Sequence, residues 1–449
     1  MTNPSRFQRI LKTLGLHRRE LRAWAMYDWA ITGFYAVIVV SVFPIFFQDV
    51  AAAHKPDAVA TQQLATITAI ALAIAAGIAP VLGAITDYIA VKKRLLGTFA
   101  GIGVAAVAGM YFISEGDLLL ASILFIFANI GANGSVIFYD ALLPHIADED
   151  EIDRVSSAGF AVGYCGATLI LVATLMLILN PTWFGFSEGS DLPVRIAFLG
   201  VAAWWMVFTI PCLLYVSEPP LKVDEEEIST PQAIRMGLVG LVKTFKRLRG
   251  YRHAFLFLVG FFIYNDGIST IIRMAAAYGR EIGLEQGLLM GAIILVQVVA
   301  IPCTLFFGYL ADRIGTKRAI FIALFIYMLI SIMGFFMTTG AHFIALAFMV
   351  GMVQGGAQAL SRSLFASMIP RFESGRFFGF FAVFERFSGI LGPAMFGIVG
   401  MMTGSSRPAI LSIIIFFIIG GAILLLVDVD EGRRVAREAE AKMKAEMES

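Results

Sequence analysis

Apolar residues fill this chain in long blocks rather than alternating with polar ones, and about 20 such residues are what one helix needs to cross a bilayer. Twelve blocks read as helical spans: 24–48, 64–86, 95–114, 118–143, 156–179 and 195–216, then 254–274, 286–310, 318–338, 342–369, 377–401 and 408–427. A polar stretch from Ser217 to His253 separates the sixth from the seventh. The pattern predicts an all-α membrane protein of two six-helix bundles, residues 1–216 and 254–427, joined by a linker at 217–253 and followed by a charged tail at 428–449.

Composition agrees with that reading. Of 449 residues, 59% are hydrophobic and 15% charged, against about 25% charged in a soluble domain. A net charge of +1 offers no basic face for nucleic acid. Cys165, Cys212 and Cys303 lie inside apolar blocks, apart from any His or Asp cluster, so they read as small buried hydrophobes. No disulfide, metal or cofactor framework is implied. Arg6, Arg9, Lys12, Arg18, Arg19 and Arg22 precede a first block without a small-residue cleavage site, so that block is expected to stay as a span. Lys and Arg gather in the N-terminus, the even-numbered loops and the C-terminus, which predicts both chain ends on the cytoplasmic side of the cytoplasmic (inner) membrane.

The sharpest motif is Gly308-Tyr-Leu-Ala-Asp312-Arg313-Ile-Gly315-Thr-Lys317-Arg318, set between two apolar blocks. Gly308 and Asp312 are one helical turn apart, so one face combines a close-approach point with a carboxylate at the water boundary. Gly315 permits the reversal. An earlier stretch, Gly83-Ala-Ile-Thr-Asp87 followed by Lys92, Lys93 and Arg94, says nearly the same thing. This hairpin resembles the loop motif of the major facilitator superfamily. The second copy fits it throughout, whereas the first has Tyr88 and Ala90 where a basic residue and a glycine belong. The resemblance implies two bundles built from repeats, with substrate held near the midplane between them and the first, fourth, seventh and tenth spans lining the cavity.

Further segments narrow it. Trp24-Ala-Met-Tyr27-Asp28-Trp29-Ala30, Phe138-Tyr139-Asp140 with Pro144, Trp204-Trp205 with Phe208 and Pro211, Tyr264-Asn265-Asp266-Gly267, and Gly355-Gly356-Ala-Gln358-Ala-Leu-Ser361-Arg362-Ser363 together resemble the autophagy-related vacuolar-effluxer family, also called the unknown major facilitator family. Fungal members imply amino-acid efflux from the vacuole, while bacterial members mostly lack an assigned substrate. Ile31 stands where relatives usually carry an asparagine, which weakens transfer of a substrate. The resemblance also implies a monomer.

An ionisable side chain within a span costs roughly 2.5 to 3.5 kcal/mol at the helix centre, so each needs a reason. Asp266, beside Asn265 and Gly267 in the seventh span, reads either as a binder of substrate amine or coupled proton or as a carboxylate paired within the structure. Arg362 in the tenth span either grips a substrate acid or stabilises an inner gate, and Gln354 and Gln358 continue its stripe. Asn129 and Asn133 in the fourth span either line the cavity or join helices. Asp140 and Glu385 join Asp266 as candidate proton carriers. Gly83, Asp87, Gly308, Asp312, Arg313, Arg318, Asp28 and Arg386 are assigned to gating. The acidic loop Asp148 to Asp153 either pairs with the basic hairpins or is simply solvated.

These residues point to a secondary transporter working by alternating access, with the proton as the expected coupling ion, and the resemblance implies that it moves amino acids or related small metabolites outward. A broad drug or lipid exporter and a sensor that has lost transport are the alternatives. No nucleotide-binding loop or nucleophile with its base suggests an enzyme.

Overall fold

The computed structural model describes residues 6–55, 57–85, 91–218, 246–281, 283–403 and 406–448. Asp87 and most of the central linker lie outside the described residues, as does the side chain of Arg386. Among the described residues ten helices are long and apolar enough to cross a membrane. They fall on ten of the twelve blocks: α1 Arg19–Ala51, α3 Lys92–Phe112, α4 Leu118–Ile146, α5 Ile152–Leu179, α6 Leu192–Tyr215, α7 Arg252–Glu281, α8 Gln286–Ile314, α9 Thr316–Phe335, α10 Gly340–Ser367 and α12 Arg407–Leu425.

The other two blocks look different. The second becomes α2, Asp57–Ile85, a continuous helix of 29 residues. The eleventh becomes α11 in two pieces, Ser374–Phe387 and Leu391–Thr403. Its break falls at Ser388-Gly389-Ile390, where Gly389 adopts a φ of +100°, a conformation that only glycine reaches without strain. Pro393 follows in the first turn of the outer piece, where its missing N–H leaves no bond unmade. In α1 the helix widens into a π-turn over Tyr35–Ser41, ahead of Pro44. A proline ring clashes with the carbonyl four residues earlier, and the wider turn accommodates it.

Packing repeats between the halves of the chain. In the first, α3 lies on α4, and α1 on α6; in the second, α9 lies on α10, and α7 on α12. The seam between them is formed by α5 with α8 and by α2 with the inner piece of α11. Those two pairs exchange under the same six-helix shift, as expected of a duplicated bundle. Large apolar side chains such as Leu119, Phe127, Leu169, Phe325 and Ile418 remain exposed on the outside. With backbone bonds closed inside helices, that surface suits lipid.

A helix, Val429–Glu448, continues the chain after α12 and turns back across one end of the molecule. This charged end also carries the 147–151 loop, the Gly315 turn and the turn at 368–373.

Candidate functional site

Arg362, in the inner part of α10, is the hub of the seam. Its exposure is 4%, and its guanidinium reaches across to three helices of the first half. Nη1 donates to Asp140 Oδ1 of α4 at 3.1 Å, and Nη2 lies 3.4 Å from Asp28 Oδ2 of α1. From α5, the Ser156 hydroxyl accepts from Nε and the Ser156 carbonyl accepts from Nη2, each at 3.0 Å. The planar fork of arginine suits such a divided set of acceptors, which a lysine could not meet.

Aromatic rings wall this cluster. The guanidinium carbon lies 4.4 Å from the Phe160 ring centre and 4.8 Å from that of Trp24, and Trp24 stacks on Tyr139 at 4.4 Å. Tyr139 in turn donates its hydroxyl to Asp28 Oδ2 at 2.6 Å. Charges enclosed this way are weakly screened, so their mutual attraction is strong and each is costly to leave alone. Gly159 makes room for the arrangement: a β-carbon there would lie 2.5 Å from Asp28 Oδ2 and 3.3 Å from Arg362 Nη2.

Toward the charged end the seam is stitched further. Gly308 of α8 faces Ser157 of α5, whose Cβ would be 2.7 Å from an added β-carbon, so the motif glycine is a contact point between halves. Arg154 Nε lies 2.9 Å from Asp312 Oδ2, an ion pair not aligned as a hydrogen bond. Asp153 accepts from Thr316 at 2.6 Å and from Ser363. Lys92, His145 and Ser374 meet between α3, α4 and α11. Outside the membrane, Glu151 pairs with Arg18, and Glu149 with Arg437 of the tail helix. Most of the acidic loop is thus engaged rather than free. Arg313 rests on the ring of Tyr309, and Arg318 is exposed at the start of α9. Gly83 lies near the end of α2.

Asp266 and Asn265 sit elsewhere. Both Asp266 carboxylate oxygens accept main-chain N–H groups, from Gly392 at 2.8 Å and Leu391 at 3.0 Å, so the residue caps the outer piece of α11. A carboxylate at a helix N-terminus satisfies free donors and faces the positive end of the dipole. Asn265 donates to Ser388 at 2.5 Å and Arg273 to the Gly389 carbonyl at 3.0 Å, so α7 holds the whole break.

The remaining candidates lie on α4 and on α10. Asn129 and Asn133 each donate to the carbonyl one turn back, and Asn133 also accepts from Tyr35 at 3.0 Å. Tyr164 of α5 donates to Gln358 at 3.2 Å, a bond between the halves, with half-buried Gln354 one turn earlier. Glu385 lies close enough to Asp140 for their charges to interact. Arg362, Asp28 and Asp140 therefore converge, with Glu385 within electrostatic range of Asp140, whereas Asp266 and Asn265 are a separate group. Sequence reasoning passed over Ser156, Gly159, His145 and Ser374. The spacing Gly159, Gly163, Gly166 on α5 could have marked a close-packed face; nothing in the sequence marked His145 or Ser374.

Two halves of helices meeting in a polar seam, together with a relative named as an MFS-type transporter, place the chain among multi-pass membrane transporters of the major facilitator superfamily. The fucose transporter FucP in its outward conformation superposes with a TM-score of 0.68 at 15% identity, over 92% of this chain and 99% of that one. At that identity the likeness concerns the fold. A family model described as vacuole effluxer Atg22 like matches residues 58–437, and the chain belongs to that family. It is 35% identical over 427 residues to the uncharacterized MFS-type transporter YxiO of Bacillus subtilis, covering 94% of this chain and 97% of that protein. It is 26% identical over 319 residues to autophagy-related protein 22 of Yarrowia lipolytica, covering 64% of this chain and about half, 52%, of the fungal protein. The bacterial relative and the fucose protein both carry the name of transporter.

Proposed function

We infer that the chain is an exporter of amino acids or related small zwitterions, working by alternating access and driven by protons. The observation that carries this is the Arg362 cluster, in which one guanidinium from the second half is shared by two carboxylates from the first. When the halves part at the charged end, Arg362 leaves with one wall and Asp28 and Asp140 with the other. The opened cavity then presents a cation facing anions, which complements the carboxylate and ammonium of an amino acid. Reclosure restores the internal pairs and displaces the substrate toward the opposite side. Two carboxylates against one guanidinium leave one acid free to carry a proton, and Asp140, paired with Arg362 through a single oxygen, takes that part in this reading.

In this reading the charged end faces the cytoplasm, both termini lie there, and the membrane is the cytoplasmic one, in keeping with the distribution of Lys and Arg. Residues 1–216 and 254–427 move as the two bundles, the linker 217–253 joins them, and the protein acts as a monomer. Gln354, Gln358, Asn129 and Asn133 complete the substrate-facing wall. Gly83, Asp87, Gly308, Asp312, Arg313, Arg318 and Arg386 serve closure.

Counterflow of radiolabelled amino acids into proteoliposomes tests this. Wild type should exchange at least one amino acid, Arg362→Ala should exchange none, and Asp140→Asn should exchange while losing drive by a pH gradient. Exchange of apolar amines or lipids in place of amino acids, or unchanged exchange by Arg362→Ala, would overturn it.

A further inference from the structure

We propose that Thr304, Gln354 and Gln358 form the subsite for the substrate's side chain, and that it selects amino acids ending in an uncharged amide, asparagine and glutamine. The proposal rests on the amino-acid reading above and names the substrate within it. Thr304 lies near the middle of α8, and Gln354 and Gln358 near the middle of α10. The Thr304 hydroxyl is fully buried and has no hydrogen-bond partner. It faces Gly355, where a β-carbon would lie 1.9 Å from Oγ1 and 2.7 Å from the ring of Tyr164. Thr304, α10 and Tyr164 of the opposite half therefore meet at one point. The Tyr164 hydroxyl donates to Gln358 Oε1 at 3.2 Å and lies against Gln354 as well. Tyr327 of α9 brings a second buried hydroxyl without a partner into electrostatic range of Tyr164.

A buried hydroxyl normally finds a partner, so one without calls for a reason. Tyr164 belongs to the first half and covers this place while the halves are closed. When they part, Tyr164 leaves, Gln358 loses its bond across the seam, and Thr304 is uncovered on the wall that carries Arg362. Gln358 is one helical turn from Arg362 and Gln354 two, about 6 and 12 Å along the axis. A substrate carboxylate on the guanidinium thus lays its side chain against the glutamines and Thr304. Hydroxyl and amide groups both donate and accept, and carry no charge. Another amide satisfies them together, offering its carbonyl to the hydroxyl and its N–H to Gln358 Oε1. An ionised side chain meets no opposite charge among these groups. An aliphatic one leaves them unpaired, which is the mismatch a polar site rejects most strongly.

Asparagine and leucine have nearly the same shape, so their competition in proteoliposome counterflow isolates the polar contacts. Wild type should prefer asparagine, and Thr304→Val should lower that preference about tenfold, the usual contribution of one neutral hydrogen bond. Thr304→Ser keeps the hydroxyl and should keep the preference. Because the hydroxyl has no partner in the closed protein, Thr304→Val should leave the melting temperature in detergent unchanged or raised. If that variant nevertheless fails to fold, Gln358→Leu carries the same comparison. A wild type that exchanges leucine as readily as asparagine, or a Thr304→Val variant with the wild-type preference, overturns the subsite and leaves the amino-acid reading standing. Absence of all amino-acid exchange strikes that reading instead. The subsite is then judged with propionamide, an amide without the amino-acid head, which should raise the melting temperature of wild type and not of Thr304→Val. No such rise overturns the subsite as well.

Discussion

Gly159 lies against Asp28 so closely that a β-carbon would stand 2.5 Å from the carboxylate oxygen. The glycine therefore sets how near α5 and α1 come, and with them how Arg362 is gripped. Gly159→Ala should cost about 1 to 3 kcal/mol through overpacking, measured as a lowered unfolding temperature in detergent. It should also shift spin-label distances toward an open charged end.

Arg362→Ala leaves Asp28 and Asp140 enclosed without their counter-charge. Removing one member of a buried ion cluster costs about 3 to 5 kcal/mol, so the variant should be poorly folded or much less thermostable. Adding Asp28→Asn and Asp140→Asn should return most of the lost stability and none of the amino-acid exchange. A triple variant that transports normally would show that the cluster is structural.

Gly308 and Ser157 touch across the seam, so closely that a β-carbon added to the glycine would stand 2.7 Å from Ser157 Cβ. Gly308→Val should hold the charged end apart, and Ser157→Gly in the same protein should restore part of the closure. Cysteine-modification rates at the Gly315 turn would follow both changes.

Asp266 caps the outer piece of α11 through both oxygens, and asparagine, with a single acceptor, can keep only one of those two bonds. Asp266→Asn should lose part of the cap and Asp266→Ala all of it, about 0.5 to 2 kcal/mol, the usual value of a cap. Amino-acid exchange by Asp266→Asn separates the roles. Retained exchange marks a cap, and lost exchange with normal stability marks a residue that binds substrate or proton.

The tail helix joins both halves through Arg437 with Glu149, Glu440 with the Arg371 N–H, and Arg433 with Ser367. Deleting residues 429–449 should shift the same equilibrium toward opening. Because Arg437 and Glu149 are exposed, raised salt should mimic part of that shift.

Much of this was legible from the order of residues. Blocks of about 20 apolar residues announce helices in lipid, and the Gly308 to Arg318 hairpin named the superfamily. The α11 break was missed because Ser388, Gly389 and Pro393 interrupt a block that remains apolar on average. Arg362, Asp28 and Asp140 stood out singly, each as a charge in an apolar setting. Their partnership did not, since Arg362 and Asp28 are 334 residues apart. Only the packing of two halves decides which buried charges meet. Asp266 drew attention for the same reason, yet its partners are backbone groups, which carry no mark in the sequence.

The divided α11 has a mechanical consequence. Its repeat counterpart α5 runs unbroken from Ile152 to Leu179, so the two arms of the duplicated machine are unlike. One is a rigid lever that transmits any tilt along its length. The other is jointed at Gly389, with the joint clasped by α7, and lets the half of the molecule near Thr403 swing while the half near Ser374 stays seated. A ligand or mutation acting beyond the joint can therefore change how the distant mouth sheds its cargo without disturbing the lock at the other mouth.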